Sequence, residues 1–154
     1  MKANLVLRRE SFLAMIRNAV GANVYRTLYI RDERGKRDVL EDGDLSCAYF
    51  ASSVLHQFKL IESPHATVAG TVRDLEASGW QKVETPQAGD VLVWEKQEQG
   101  RSGAHTHIGF SVGGERAVSN DSFARVPQEH HLTFGEKDGA PARRITALYR
   151  FPNL

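Results

Sequence analysis

The chain contains one cysteine, Cys47, placed at the start of an apolar-faced segment. Cysteine chemistry runs through the thiolate, which a free thiol with a pKa of about 8.5 supplies only sparingly at neutral pH. The first turn of a helix improves that supply, because its backbone N–H groups lack intrahelical partners and the helix dipole is positive there. Cys47 is therefore a candidate nucleophile, although a lone cysteine also serves as a small buried hydrophobe. A thiol nucleophile needs a base within hydrogen-bond reach. His107 opens an apolar stretch of strand type, and His105, two residues earlier, would share its face. Asn120 and Asp121 close the strand that returns beside it. A side-chain oxygen there could accept from the second ring nitrogen of His107 and fix its tautomer. Asn120-Asp121-Ser122 reads equally as a turn.

These residues need elements to hold them. Residues 45–60, LSCAYFASSVLHQFKL, place Cys47, Phe50, Ala51, Val54, Leu55 and Phe58 at helical spacing, with Asp44 or Ser46 as cap. Residues 11–20 form a second amphipathic pattern (Phe12, Leu13, Ile16, Ala19, Val20) between Ser11 as cap and Gly21 as stop. A third helix is expected from about Ala66 to Ser78, stopped by Gly79. Val24–Asp32 reads as extended, and Asp32–Asp44 as a charged loop. Beyond the turn Pro86–Asp90, the pattern changes to strands: 91–94, then 107–112, with 115–119 returning across Gly113-Gly114. Glu95–Gly103 reads as a polar, flexible stretch and 121–142 as a long loop. Ile145, Ala147, Tyr149 and Phe151 alternate along a last strand. Helices followed by an antiparallel sheet make the expected fold class α+β, in one domain spanning 1–154.

Three segments together resemble the NlpC-like and CHAP superfamily of papain-like cysteine peptidases and amidases. Cys47-Ala48-Tyr49-Phe50-Ala51 resembles its nucleophile helix. Pro86-Gln87-Ala88-Gly89-Asp90-Val91-Leu92-Val93-Trp94 resembles its Pro-x-x-Gly-Asp strand start. His107-Ile108-Gly109-Phe110 resembles its His-apolar-Gly-apolar strand. The order of the segments matches too, and the likeness covers roughly residues 44–121. Many NlpC-like members carry Asp-Cys-Ser-Gly at the nucleophile, whereas Ser46-Cys47-Ala48-Tyr49 stands closer to the CHAP style. The resemblance implies a papain-like fold with N-terminal helices packed on the sheet. It also implies thiol-dependent hydrolysis of an amide by a Cys47–His107–polar triad, with the Cys47 N–H helping to hold the oxyanion. By position, Ser119 or Asn120 matches the third residue; Asn120 is assigned for its amide oxygen. No cofactor is implied. The implied substrates are the peptides of bacterial peptidoglycan. A non-catalytic binding module and an acyltransferase are the alternatives on the same fold.

Composition narrows the field. With 20 Lys and Arg against 19 Asp and Glu, the net charge is +1, which offers no general attraction for nucleic acid or an anionic membrane. No apolar run approaches the roughly 20 residues of a membrane span, and one cysteine forms no intramolecular disulfide. Met1–Leu7 runs into Arg8-Arg9-Glu10 too early for a secretory h-region. The expectation is a chain cytoplasmic as made, with non-Sec delivery to a cell wall as one route. A partner of immunity or inhibitor type is expected if it is a toxin. A zinc site from His105, His107, His130 and His131 is a competing reading, without the spacing of a recognisable ligand set.

Overall fold

The computed structural model describes residues 4–98 and 101–154. Residues 1–3 of the stretch read for a leader, and 99–100 of the expected polar stretch, lie outside the described residues. The chain forms α1 (Arg8–Asn18), a 3-10 turn (Asn23–Tyr25), β1 (Tyr29–Asp32), β2 (Gly35–Asp38), α2 (Cys47–Gln57) and α3 (Val68–Ala77). There follow β3 (Gln81–Lys82), β4 (Val91–Glu98), β5 (Ala104–Gly113), β6 (Arg116–Asp121), β7 (Val126–His131), β8 (Glu136–Lys137), β9 (Ala140–Pro141) and β10 (Ile145–Arg150). The architecture is α+β. Six strands make one antiparallel sheet in the order β3-β10-β4-β5-β6-β7, while β1-β2 and β8-β9 pair only with each other. Among the described residues no helix is long and apolar enough to cross a membrane.

The sheet separates two cores. Val91, Val93, Ile108, Phe110, Val112 and Val118 face the helices and pack with Phe12 and Ile16 of α1 and Phe50 and Val54 of α2. Edge-to-face contacts of Phe110 with Phe12 and Phe50 join sheet and helices, with centroids 5.6 and 5.7 Å apart. Because successive side chains on a strand alternate faces, Leu92, Trp94, Ala117 and Leu148 form a smaller core on the reverse face. The segment after β7 covers it, and Trp94 donates its indole N–H to the Leu132 carbonyl (2.7 Å).

Five expectations change. The stretch 24–32, expected to be extended, begins in the 3-10 turn Asn23–Tyr25 and becomes a strand only from Tyr29. Helix α1 starts at Arg8, not after Ser11, because tertiary contacts extend it: the Arg8 guanidinium donates to the Phe58 carbonyl at 2.7 Å. The 32–44 loop includes strand β2, which returns on β1 as a hairpin. Strand β4 runs on to Glu98 through part of the stretch expected to be flexible. The long loop expected at 121–142 contains β7, which pairs with β6 from Asp121↔Val126 to Arg116↔His131. Its sequence, VPQEHH, shows no apolar alternation because most of the strand is only partly buried.

Candidate active site

Cys47 is the first residue of α2, and Ser46 is its cap residue without a side-chain capping bond. The helix directs its first-turn amides at the sulfur. Strand β5 supplies another. The N–H and carbonyl of Ser111 bond toward Asp90 and Gly89 on the β4 side, so by alternation the N–H of Ile108 points toward β6. The β5–β6 ladder ends at Gly109↔Ser119. That leaves the Ile108 N–H free to face the Cys47 thiol. Cys47 thus occupies the notch where β6 parts from β5, beside the His107–Ile108 peptide.

His107 is buried opposite Trp94 in the β4–β5 register, with ring centroids 5.4 Å apart. Its Nε2 shares a 2.8 Å hydrogen bond with Ser119 Oγ. Ser119 Oγ shares a second, also 2.8 Å, with His130 Nε2. His130 stacks on Phe134 (3.9 Å, 14°) and donates from Nδ1 to the His131 carbonyl at 2.7 Å. Gly109 permits this closeness: a Cβ there would lie 2.6 Å from Ser119 Cβ and 2.5 Å from the Val118 carbonyl oxygen.

The structure gives His107 a bonded partner other than the expected Asn120. Ser119 shares the reverse face with Ala117, whereas Asn120 shares the helix face with Val118. The Asn120 amide donates to the Gly43 carbonyl at 2.8 Å and so ties β6 to the loop before Cys47. His105 also stands apart from His107, its Nε2 bonded to the Ser102 carbonyl. For the zinc reading, both nitrogens of His130 are already engaged. Among the described residues no group of three or more His, Cys, Asp and Glu side chains could hold a metal ion.

Burial pushes the Cys47 thiol up; the N–H groups of Ile108 and Ala48, the Arg143 charge and the Cys47 N–H pull it down without prevailing. Burial, aided by the charges of Arg143 and His130, holds His107 well below the usual imidazole value. Both directions favour the neutral thiol and imidazole over a thiolate–imidazolium pair, and no hydrogen bond joins thiol to imidazole. Arg143 was not among the sequence candidates. It is buried, and it fastens the start of β5 by donating to the His105 carbonyl (2.6 Å) and to the Glu95 carbonyl (3.0 Å).

A cleft of about 640 Å³ runs up to Cys47. Leu28, Ile30 and Val39 from the β1–β2 hairpin form one wall, Ala66 and Val68 at the start of α3 another, and Asp44, His105 and Thr106 add polar groups near the thiol. Among the described residues four buried side-chain atoms have no partner: Asp44 Oδ1 on the cleft wall, Ser46 Oγ at the cap of α2, His107 Nδ1 beside Ile108, and Asn120 Oδ1 on the side chain bonded to Gly43. Buried polar atoms are nearly always paired, so these four mark places organised for something other than stability. Neither the protein-family models nor the curated proteins compared with the chain match it.

Proposed function

We propose that the protein is a thiol-dependent amide hydrolase of the papain-like NlpC/CHAP kind, acting on peptides of the peptidoglycan type. The observation that carries this reading is Cys47 at the start of α2 on the wall of a cleft, with the N–H of Ile108 at its thiol and the partnerless Nδ1 of His107 on the preceding residue. His107 Nδ1 takes the thiol proton as Cys47 Sγ bonds to the substrate carbonyl carbon. The carbonyl oxygen, now negative, is received by the Cys47 N–H and the positive end of α2. The imidazolium returns its proton to the leaving amine as the C–N bond breaks. Water then adds to the thioester, again with His107 as base, and releases the acid and the free thiol. The buried Arg143 charge stabilises the thiolate as it forms.

Digestion of purified peptidoglycan, read by mass spectrometry beside the Cys47→Ala variant, tests this. New peptide fragments from the wild type alone are expected. Fragments from neither protein would sink the wall-peptide assignment. Fragments from both would remove Cys47 as nucleophile. A second reading, a binding module on the same fold, draws on the neutral thiol and its lack of a hydrogen bond to His107. It predicts a Cys47 inert to alkylation across neutral and alkaline pH, where the hydrolase reading predicts labelling that grows with pH.

A further inference from the structure

We infer that His130 is a positioning residue that sets the tautomer of His107 through Ser119, leaving the Nδ1 lone pair of His107 free to act as base. The inference rests on the reading of His107 as base for Cys47, but the tautomer it assigns is measurable without turnover. The argument begins at the far end of the chain of hydrogen bonds. A backbone carbonyl can only accept, so the 2.7 Å bond from His130 to the His131 carbonyl requires the proton to be on His130 Nδ1. In neutral imidazole the other nitrogen is then a bare acceptor. Ser119 has one hydroxyl proton, and the bond to His130 Nε2 consumes it. Ser119 Oγ can therefore only accept from His107, which places a proton on His107 Nε2 and none on Nδ1. His107 Nδ1 is the buried atom without a partner.

Each link is held in place. The stack on Phe134 fixes the His130 ring plane, and Phe134 in turn lies under the Arg143 guanidinium, 6.0 Å from the ring centroid. The β6–β7 register keeps Ser119 and His130 on neighbouring strands. Burial favours the neutral form of His130, with Arg116 and His131 acting in the same direction and Asp121 and the His131 carbonyl opposing. When His107 takes a proton at Nδ1, its Nε2–H bond to Ser119 is unchanged, so the chain reorients nothing during the reaction. The bonds orient His107; no proton leaves through them.

The test reads the ring nitrogens of His107 directly, by long-range ¹H–¹⁵N correlation on the uniformly labelled protein at neutral pH. The wild type is expected to show the Nε2–H tautomer. Ser119→Ala, which removes the link, and His130→Phe, which keeps an aromatic ring against Phe134, are expected to lose that preference. His130→Gln is expected to restore it, because the amide oxygen can reach the Nε2 position and accept the Ser119 proton. In turnover, His130→Phe should lower kcat about 10- to 100-fold with KM little changed, and His130→Gln should recover part of the loss. A wild-type His107 protonated on Nδ1, or an Nε2–H preference undiminished in both Ser119→Ala and His130→Phe, would overturn the inference. The assigned tautomer pattern in a protein that cleaves no amide would uphold the assignment and overturn the hydrolase reading instead.

Discussion

The protein has two polar clusters built from similar residues near α2, and they are built to opposite ends. The cluster beyond its C-terminal half centres on Asp74. That carboxylate accepts from the backbone N–H groups of Glu62 (2.9 Å) and Ser63 (3.1 Å), from the Ser78 hydroxyl (3.0 Å) and from His65 Nε2 (2.6 Å). Ser52 of α2 joins it by accepting the His65 N–H at 2.7 Å. Despite the opposing effect of burial, these bonds bring the Asp74 carboxyl down to about 2. Before α2 and on the neighbouring strands β5 and β6, Asp44, Ser46, His107 and Asn120 each keep a buried polar atom with no partner. By residue type alone, His65 and Asp74 are as suited to catalysis as His107 and Asn120. What separates them is satisfaction: a group with every bond made stabilises the fold, whereas a group left wanting is available to a substrate.

The sharpest way to break this contrast is to remove the proposed nucleophile. Cys47→Ala should abolish detectable cleavage, a loss on the order of 10⁶-fold by analogy with nucleophile deletions in hydrolases, with denaturant midpoints close to wild type. Cleavage surviving in that variant would move the chemistry elsewhere. The second test separates neighbours on β6. Ser119→Ala should lower kcat on the order of 10²-fold. Asn120→Ala should leave kcat nearly unchanged, costing about 1 kcal/mol of stability for the lost bond to Gly43 and raising KM through the lost Oδ1. Urea denaturation beside steady-state kinetics reads both, and a reversed pattern would return the orienting role to Asn120.

The third test moves to the satisfied cluster. Asp74→Asn should leave kcat unchanged and destabilise the fold by on the order of 2 kcal/mol at neutral pH. The folded carboxyl lies below its unfolded value of about 3.9. Its stabilisation is therefore complete above that value and is lost as pH falls toward about 2. The variant and wild-type melting temperatures should converge over that window. The smallest expected effect is a displaced pH midpoint. Since burial raises the Cys47 thiol, its alkylation rate should increase with pH to a midpoint above the 8.5 of a free cysteine. A midpoint below neutrality would mean that Arg143 and the helix amides outweigh burial.

Sequence pattern disclosed the elements with strong periodicity. Helix α2 is legible because Phe50, Ala51, Val54 and Leu55 all face one core. The turn before β4 is legible because Asp90 closes it, accepting the Gln87 N–H at 2.7 Å. The choice between Ser119 and Asn120 was not legible. Ala117, Val118, Ser119 and Asn120 are all buried, so β6 shows no alternation, and an offset of one residue exchanges the two faces. His130 was obscured for a related reason, since β7 contains Pro127 and has a mostly half-exposed, polar pattern that resembles loop. Arg143 looks like either member of an ordinary Arg143-Arg144 pair until the fold buries the first of them.

The β1–β2 hairpin walls the cleft but shares no strand pairing with the six-stranded sheet. Its base is closed locally by Asp38, whose carboxylate accepts the N–H groups of Leu28, Leu40 and Asp42 at 2.8–3.0 Å. Such a unit behaves as an exchangeable cassette. Residues 28–39 could be replaced by a hairpin of different length or charge while the notch that holds Cys47 stays intact.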